Sequence, residues 1–166
     1  MLLAMPVMSG DSIYAIMLYL VMYLFMNLGA FFVVIIVKNK TGGESFDDYK
    51  GLGWEMPFVG AAMTLFMVSL TGLPPTAGFI GKFYIFASLI KGGSTYYWLV
   101  VIGGINSVVS LYYYLKVVKV MYFEGERTDK ILFPSNVLTS TLLFTAVPSL
   151  FLGIYWNPIF ILQVSF

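Results

Sequence analysis

The chain has 166 residues, of which 60% are hydrophobic and only 10% are charged, and its net charge is +1. Soluble domains carry about 25% charged residues, so this composition, with a mean hydropathy of +0.90, predicts that lipid surrounds most of the chain. The balanced charge gives no basis for nucleic-acid binding. The lack of cysteine and histidine excludes thiolate and imidazole metal sites and iron–sulfur clusters within this chain.

We expect an all-α integral membrane protein that forms a single membrane domain over residues 1–166, as a bundle of about four transmembrane helices. Met1–Gly10 is apolar but has neither a basic leader nor a cleavage signature, so we do not expect a signal peptide. We expect instead the C-terminal part of a longer membrane protein. The first span is predicted over Ile13–Val37, 25 residues without a charge, with Asp11 or Ser12 as the N-cap.

A mildly polar stripe follows one face of this first span. Tyr19, Tyr23 and Asn27 are spaced at i, i+4 and i+8, which places them on one side of a helix. One interpretation is that the stripe binds a neighbouring helix, and the other is that Asn27 lines a hydrated path. Asn39–Glu55 then contains glycines and both signs of charge, which indicates a water-exposed loop with solvated charges.

The apolar stretch from Pro57 to Ile90 is interrupted in its middle. Its halves, Pro57–Leu70 and Ala77–Ile90, have 14 residues each, fewer than the ~20 that one crossing needs. If the halves form one broken span over about 57–91, all but one of the basic residues outside it lie on one side of the membrane. These are Lys38, Lys40, Lys50, Lys116, Lys119, Arg127 and Lys130, with only Lys91 opposite. Two separate spans would divide them evenly, so the positive-inside rule favours a single discontinuous helix.

Prolines and glycines supply the break, near residues 71–77. Prolines remove backbone donors and glycines adopt unusual dihedral angles, and we assign the break to Gly72, Pro74, Pro75, Gly78 and Gly81. Carbonyl groups freed at such a break need partners inside the membrane. We expect Thr71 and Thr76 to help solvate them.

Two further spans are predicted, over Tyr97–Met121 and over Val137–Trp156, ending by about residue 157. On the first of these, small and polar residues fall on one helical face: Gly103, Ser107, Ser110 and Tyr114. Such a stripe is typical of close helix packing. The alternative is that its hydroxyl groups pass protons through water, and both interpretations are compatible.

Lys82 is the most informative residue, because no acidic residue lies between Glu55 and Glu124. An ammonium group in these surroundings is costly, and near the middle of the membrane its side chain cannot reach either surface. It could pair with a carboxylate of another chain, bind an anionic substrate, or relay protons. A desolvated lysine can release its proton, whereas arginine does not, so the choice of lysine favours a relay.

Three segments together resemble the antiporter-like subunits of complex I, the proton-pumping NADH:quinone oxidoreductase. They are YLFMNLGAFFVV, SLTGLPPTAGFIGKFYIF and SLYYYLKV, which begin at Tyr23, Ser69 and Ser110. The chain is most similar to the N-type subunit, since the M-type has glutamate at the position of Lys82. The resemblance implies that the broken helix is the twelfth of fourteen and that Lys82 is the terminal proton relay of the second half-channel.

The resemblance further implies a translocase subunit that does no redox chemistry itself. The expected partners are the lipid bilayer, adjacent antiporter-like subunits, and the N-terminal part of this subunit, which would hold the first half-channel. FMN, iron–sulfur clusters and quinone are expected on other subunits, and no cofactor or metal in this chain. The expected location is a bacterial inner membrane, with thylakoid or mitochondrial inner membranes as alternatives. A cation/proton antiporter subunit, a membrane-bound hydrogenase subunit and a non-pumping helix bundle are the alternative functions.

Overall fold

The fold is helical throughout the part of the chain that the computed structural model describes, residues 2–7, 9–125 and 135–155. The helices are α1 (Gly10–Thr41), α2 (Leu52–Glu55), α3 (Pro57–Thr71), α4 (Ala77–Lys91), α5 (Tyr97–Phe123) and α6 (Asn136–Ile154), with short 3₁₀ helices at Leu2–Val7, Phe46–Tyr49 and Ser94–Tyr96. The predicted all-α class is therefore confirmed. Arg127, Lys130 and Trp156, which entered the predictions above, lie outside the described residues.

Helix α1 is longer than the predicted span at both ends. It begins after Ser9, whose hydroxyl oxygen accepts a hydrogen bond from the backbone N–H of Ser12. The prediction of Asp11 or Ser12 as the N-cap is therefore wrong, since both residues lie inside the first turn. At the other end Gly42 adopts φ 79°, and its N–H donates to the carbonyl of Lys38. This left-handed position ends the helix, because glycine adopts it without steric cost.

Within the described residues, three segments are long and apolar enough to cross a membrane, Ser12–Thr41, Ser94–Phe123 and Asn136–Ile154. Helices α3 and α4 have 15 residues each, about 22 Å at the α-helical rise, which is short of the ~30 Å hydrocarbon core. Together they supply the length of a fourth crossing. The loop helix α2 turns sharply into α3, at an angle of 118° measured between Phe46–Glu55 and Pro57–Thr71.

The contacts of α1 show how the two short helices are arranged. From its start to its end, α1 contacts them in the pairs Tyr14 with Tyr84, Tyr19 with Gly81, Met26 with Gly78, and Gly29 with Phe66. In these pairs, the residue number of the partner falls as the residue number in α1 rises. Helices α4 and α3 therefore follow one another along α1 and together run antiparallel to it, as one crossing with a gap at residues 72–76.

Helix α5 packs along the other side of the same broken crossing. Near its start, Gly103 faces Phe86 of α4, and near its end Tyr122 faces Gly53 and Gly60. The indole N–H of Trp54 also donates to the carbonyl of Tyr122 at 2.9 Å. We call the end of the bundle that holds Trp54 and Tyr122 the inner side, and the end that holds Lys91 the outer side.

The described charges of the inner loops pair with one another. Lys38 forms an ion pair with Glu44, Lys40 with Glu55, Lys50 with Asp47, and Lys119 with Glu124. The hydrogen bond from the Lys50 ammonium holds the pKa of the Asp47 carboxyl below its ordinary value. Apart from the partly buried pair of Lys40 with Glu55, these side chains are largely solvent-accessible, so such pairs add little stability. Each of these four carboxylates nevertheless has a local partner.

Candidate functional site

Lys82 lies in the second turn of α4, close to the gap in the broken crossing. Its ammonium nitrogen donates a hydrogen bond to the backbone carbonyl oxygen of Thr71, at 2.7 Å. Thr71 is the last residue of α3, where the backbone carbonyls have no partner within the helix. The C-terminal end of a helix carries partial negative charge, so this position favours a cation. A half-buried amine on one half-helix therefore bridges to the end of the other.

No carboxylate among the described side chains forms an ion pair with Lys82. Four of the described inner-loop carboxylates are paired with lysines, and that of Asp48 accepts hydrogen bonds from Ser45. Lys82 lies near the opposite end of α3 from those loops. Its described polar contact is a carbonyl dipole rather than a full opposite charge. The neutral and charged forms of the amine can both donate to that oxygen.

Two glycines allow the half-helices to approach at the gap. Gly72 has φ +81°, and a β-carbon there would lie 2.8 Å from Cδ of Lys82. A β-carbon on Gly78 would overlap the carbonyl oxygen of Ser69, which belongs to α3. Further along α4, a β-carbon on Gly81 would lie 2.7 Å from the Tyr19 ring. Because the obstacle at Gly78 is backbone, that glycine sets the closest contact between the two halves.

The carbonyl groups freed at the gap receive side-chain donors. The Thr71 hydroxyl donates to the carbonyl of Val68 and the Thr76 hydroxyl donates to that of Leu73, both at 2.6 Å. The peptide bond between Pro74 and Pro75 is cis. The gap is also covered from α6, where a β-carbon on Gly153 would overlap the carbonyl oxygen of Pro75.

Lys82 opens on a cavity of about 130 Å³ between α1, α4 and α5. The polar side chains that line it are Lys82, Tyr19, Tyr23, Asn106, Ser107, Ser110 and Tyr114. Three of the predicted path residues, Ser107, Ser110 and Tyr114, thus face the same space as the lysine. A cavity of this size accommodates several water molecules and presents enough polar partners to bind them.

The other predicted path residues lie elsewhere. The side-chain amide of Asn27 donates to the carbonyl of Tyr23 in its own helix, at 2.9 Å, and does not line the cavity. Thr71 and Thr76 are buried at the gap, beside the cavity rather than in its wall. Asn106 was missed by the sequence reasoning. It lies on the same face of α5 as Ser110, one turn earlier, and this four-residue spacing could have predicted it.

No group of three or more His, Cys, Asp or Glu side chains that could hold a metal ion occurs within residues 2–7, 9–125 and 135–155. The site therefore consists of one amine, hydroxyl and amide groups, and backbone carbonyls. These groups exchange protons or hydrogen-bond water, and among them the amine is the one that carries a positive charge when protonated.

Comparison with known proteins places these features in a family. The sequence model described as NADH:quinone oxidoreductase/Mrp antiporter, transmembrane, matches residues 1–110, which include α1, the broken crossing and Lys82. The NADH-quinone oxidoreductase subunit N 2 of Sorangium cellulosum is 48% identical over 166 residues, covering 96% of this chain and 32% of that protein. Subunit N of Chlorobium chlorochromatii is 54% identical over 121 residues, covering 73% of this chain and 24% of that protein.

A solved structure shows the same fold. A chain of respiratory complex I from Thermus thermophilus with bound aureothin superposes with a TM-score of 0.65 at 25% sequence identity, covering 86% of this chain and 33% of that one. The chain thus spans about a third of the length of these relatives. The resemblance stated from the sequence is confirmed: this integral membrane chain belongs to the NADH:quinone oxidoreductase/Mrp antiporter family, among relatives named subunit N.

Proposed function

We propose that this chain carries protons across the membrane as part of a proton-pumping NADH:quinone oxidoreductase, with Lys82 as the relay. The observation that carries the proposal is the position of Lys82: it lies at the gap of a broken crossing, contacts a carbonyl rather than a carboxylate, and faces a polar cavity. A permanent ion pair would hold one protonation state. A carbonyl partner leaves the amine able to lose and regain a proton.

The cavity supplies the second requirement, a chain of groups that conduct protons. Hydroxyl groups both donate and accept hydrogen bonds, so each can pass a proton to a neighbouring water. In our proposal Ser107, Ser110 and Tyr114 hold such waters next to Lys82. Thr71 and Thr76 stabilise the gap, and Asn27 contributes through the packing of α1.

We expect Tyr114→Phe to slow proton pumping several-fold without preventing assembly, because it removes the hydroxyl and keeps the ring. One hydrogen bond contributes about 1 kcal/mol, which corresponds to about fivefold in rate. The measurement is the initial rate of acidification driven by NADH in vesicles containing the assembled complex. Tyr113→Phe is the matched control, because that side chain is 64% exposed and points away from the cavity. Equal rates in both variants would remove Tyr114 from the path.

Lys82→Arg tests whether the proton or only the positive charge matters. Arginine keeps the charge but does not release its proton in proteins, so we expect pumping to be lost in the assembled complex. Proton transport and electron transfer are measured separately in the same vesicles. Normal pumping with arginine would contradict the relay and favour a structural cation that pairs with a partner's carboxylate.

The partners and location follow from the same proposal. The adjacent antiporter-like subunits and the remaining part of a longer subunit would surround this chain in the membrane, and the FMN, iron–sulfur clusters and quinone of the complex would be held by other subunits. The relatives cited above are bacterial, which supports a bacterial inner membrane.

The family model also covers Mrp antiporters, so a cation/proton antiporter is the second candidate function. It would be distinguished by transport that continues without NADH oxidation.

A further inference from the structure

An apolar cluster lies on the outer side of the Lys82 cavity. Its buried members are Ala4, Ala15, Ile85, Leu89 and Leu99, and Leu3 and Phe86 pack against them. The cluster is built from the segment Leu2–Val7, the start of α1, the second half of α4 and the start of α5. It therefore occupies the space between the cavity and the outer turn at Lys91.

Four residues of the cavity wall belong to this cluster: Tyr19, and three that are wholly apolar, Leu3, Ile85 and Phe86. Phe86 is one turn beyond Lys82 on the same face of α4, toward the outer side. Opposite them is Gly103 of α5, where a β-carbon would lie 2.8 Å from Cε1 of Phe86 and 2.9 Å from Cδ1 of Leu3. The two apolar side chains thus meet over a glycine in the outer part of the cavity wall.

The segment that carries Leu3 is attached to the bundle at several points. The Tyr96 hydroxyl donates to the carbonyl of Pro6 at 3.3 Å, and the Val7 side chain packs against Gly92. Ala4 is fully buried. Leu3 is therefore held in place by the contacts of the residues that follow it in the chain.

The two ends of the cavity consequently differ in chemistry. Around Lys82 the wall carries hydroxyl and amide groups, whereas toward the outer side it carries Leu3, Ile85 and Phe86. An apolar constriction without hydrogen-bond partners excludes water, and hydrophobic constrictions gate pores by this loss of water. A proton on Lys82 has no hydrogen-bonded route through such a constriction while it stays dry.

We propose that Leu3, Ile85 and Phe86 form an apolar gate that controls the exchange of protons between Lys82 and the outer side. This inference rests on the proposed function of Lys82 as a relay. Closed, the gate prevents protons from flowing back through the chain when no electrons are transferred. Displacement of Phe86 or Leu3 from Gly103 admits water and connects the cavity to the outer surface.

The test is passive proton leak through the assembled complex in vesicles, measured without NADH under an imposed membrane potential. Phe86→Ala removes the ring that closes the cavity, and we expect the leak to rise by about tenfold, which corresponds to a barrier lower by about 1.4 kcal/mol. Phe83→Ala is the matched control, because Phe83 is on the same helix, is 54% exposed and does not line the cavity. An unchanged leak in Phe86→Ala would overturn the gate.

A second variant and a second measurement keep the test decisive if Phe86→Ala does not assemble. Leu3→Ala opens the gate from its other side and is expected to leak in the same way. The chain has no native cysteine, so a cysteine introduced as Ser107→Cys reports access to the cavity. We expect its labelling by a small membrane-impermeant thiol reagent, added from the outer side, to be slow alone and at least tenfold faster combined with Leu3→Ala or Phe86→Ala. Equally slow labelling in all three would overturn the proposal.

The failure of the gate and the failure of the relay give different results. If Phe86→Ala and Leu3→Ala do not leak but substitutions at Lys82 abolish pumping, the relay stands and the gate is wrong. If the gate variants leak equally with Lys82 and with Lys82→Ala, water passes the constriction without using the lysine. The relay is then contradicted, although the constriction is real. A leak that requires Lys82 supports both.

Discussion

Lys82→Ala is expected to abolish proton pumping by this subunit, so that fewer protons are moved for each NADH oxidised. The substitution leaves the cavity without the group that changes charge. Moving a charge against 100 mV requires about 2.3 kcal/mol, and a pKa change of one unit corresponds to about 1.4 kcal/mol. A relay that moves a charge against this potential must therefore change its pKa by about two units in each cycle.

The measurement is the ratio of protons moved to NADH oxidised in vesicles containing the assembled complex. Lys91→Ala is the control, because it removes an ammonium group from the same helix at the outer turn, about two and a half turns beyond Lys82. We expect the ratio to fall in Lys82→Ala and to stay unchanged in Lys91→Ala. An unchanged ratio in Lys82→Ala would leave only the structural role, a bundle whose lysine stabilises the break.

Gly78→Ala is expected to have the largest effect on stability. The added methyl group would overlap the carbonyl oxygen of Ser69, so α3 and α4 must separate at the gap. Overpacking of this kind typically costs about 1–3 kcal/mol. The same separation would strain the contact between Lys82 and Thr71. We therefore expect less assembled complex in the membrane and a lower midpoint of thermal unfolding.

Gly104→Ala is the matched control for this stability prediction. Gly104 is also a helical glycine in a membrane span, but a β-carbon there would have no atom within 4 Å. Alanine is a better helix former than glycine by about 1 kcal/mol, so this variant should assemble at normal or higher levels. Equal amounts of assembled Gly78→Ala and Gly104→Ala complex would contradict the close contact at the gap.

The sequence was informative where one residue type has a single physical explanation. Two prolines within an apolar run cannot continue a helix, so the break between α3 and α4 could be located. The helical face of Ser107, Ser110 and Tyr114 could be read from spacing, and the structure places that face on the Lys82 cavity. The all-α fold followed from composition and from the lengths of the apolar runs.

The sequence was uninformative where the outcome depends on a contact with a distant segment. The carbonyl partner of Lys82 is 11 positions away along the chain and belongs to the backbone, so no residue type marks it. One of the two interpretations of Asn27 placed it on a hydrated path, but its amide donates a hydrogen bond to the backbone of its own helix. The presence of Leu3 in the cavity wall depends on how the 3₁₀ segment Leu2–Val7 packs against α4 and α5, and no spacing rule describes that arrangement.

Helix α6 contributes no residue to the cavity, yet its Gly153 backbone rests directly on the peptide units from Pro75 to Ala77. That contact lies at the start of α4, one turn before Lys82. A tilt of α6 imposed by a neighbouring protein would therefore displace the gap between α3 and α4, beside which the Lys82 amine lies. If the proposed function holds, movement of a neighbouring protein would in this way reach Lys82 through a helix that does not line the cavity.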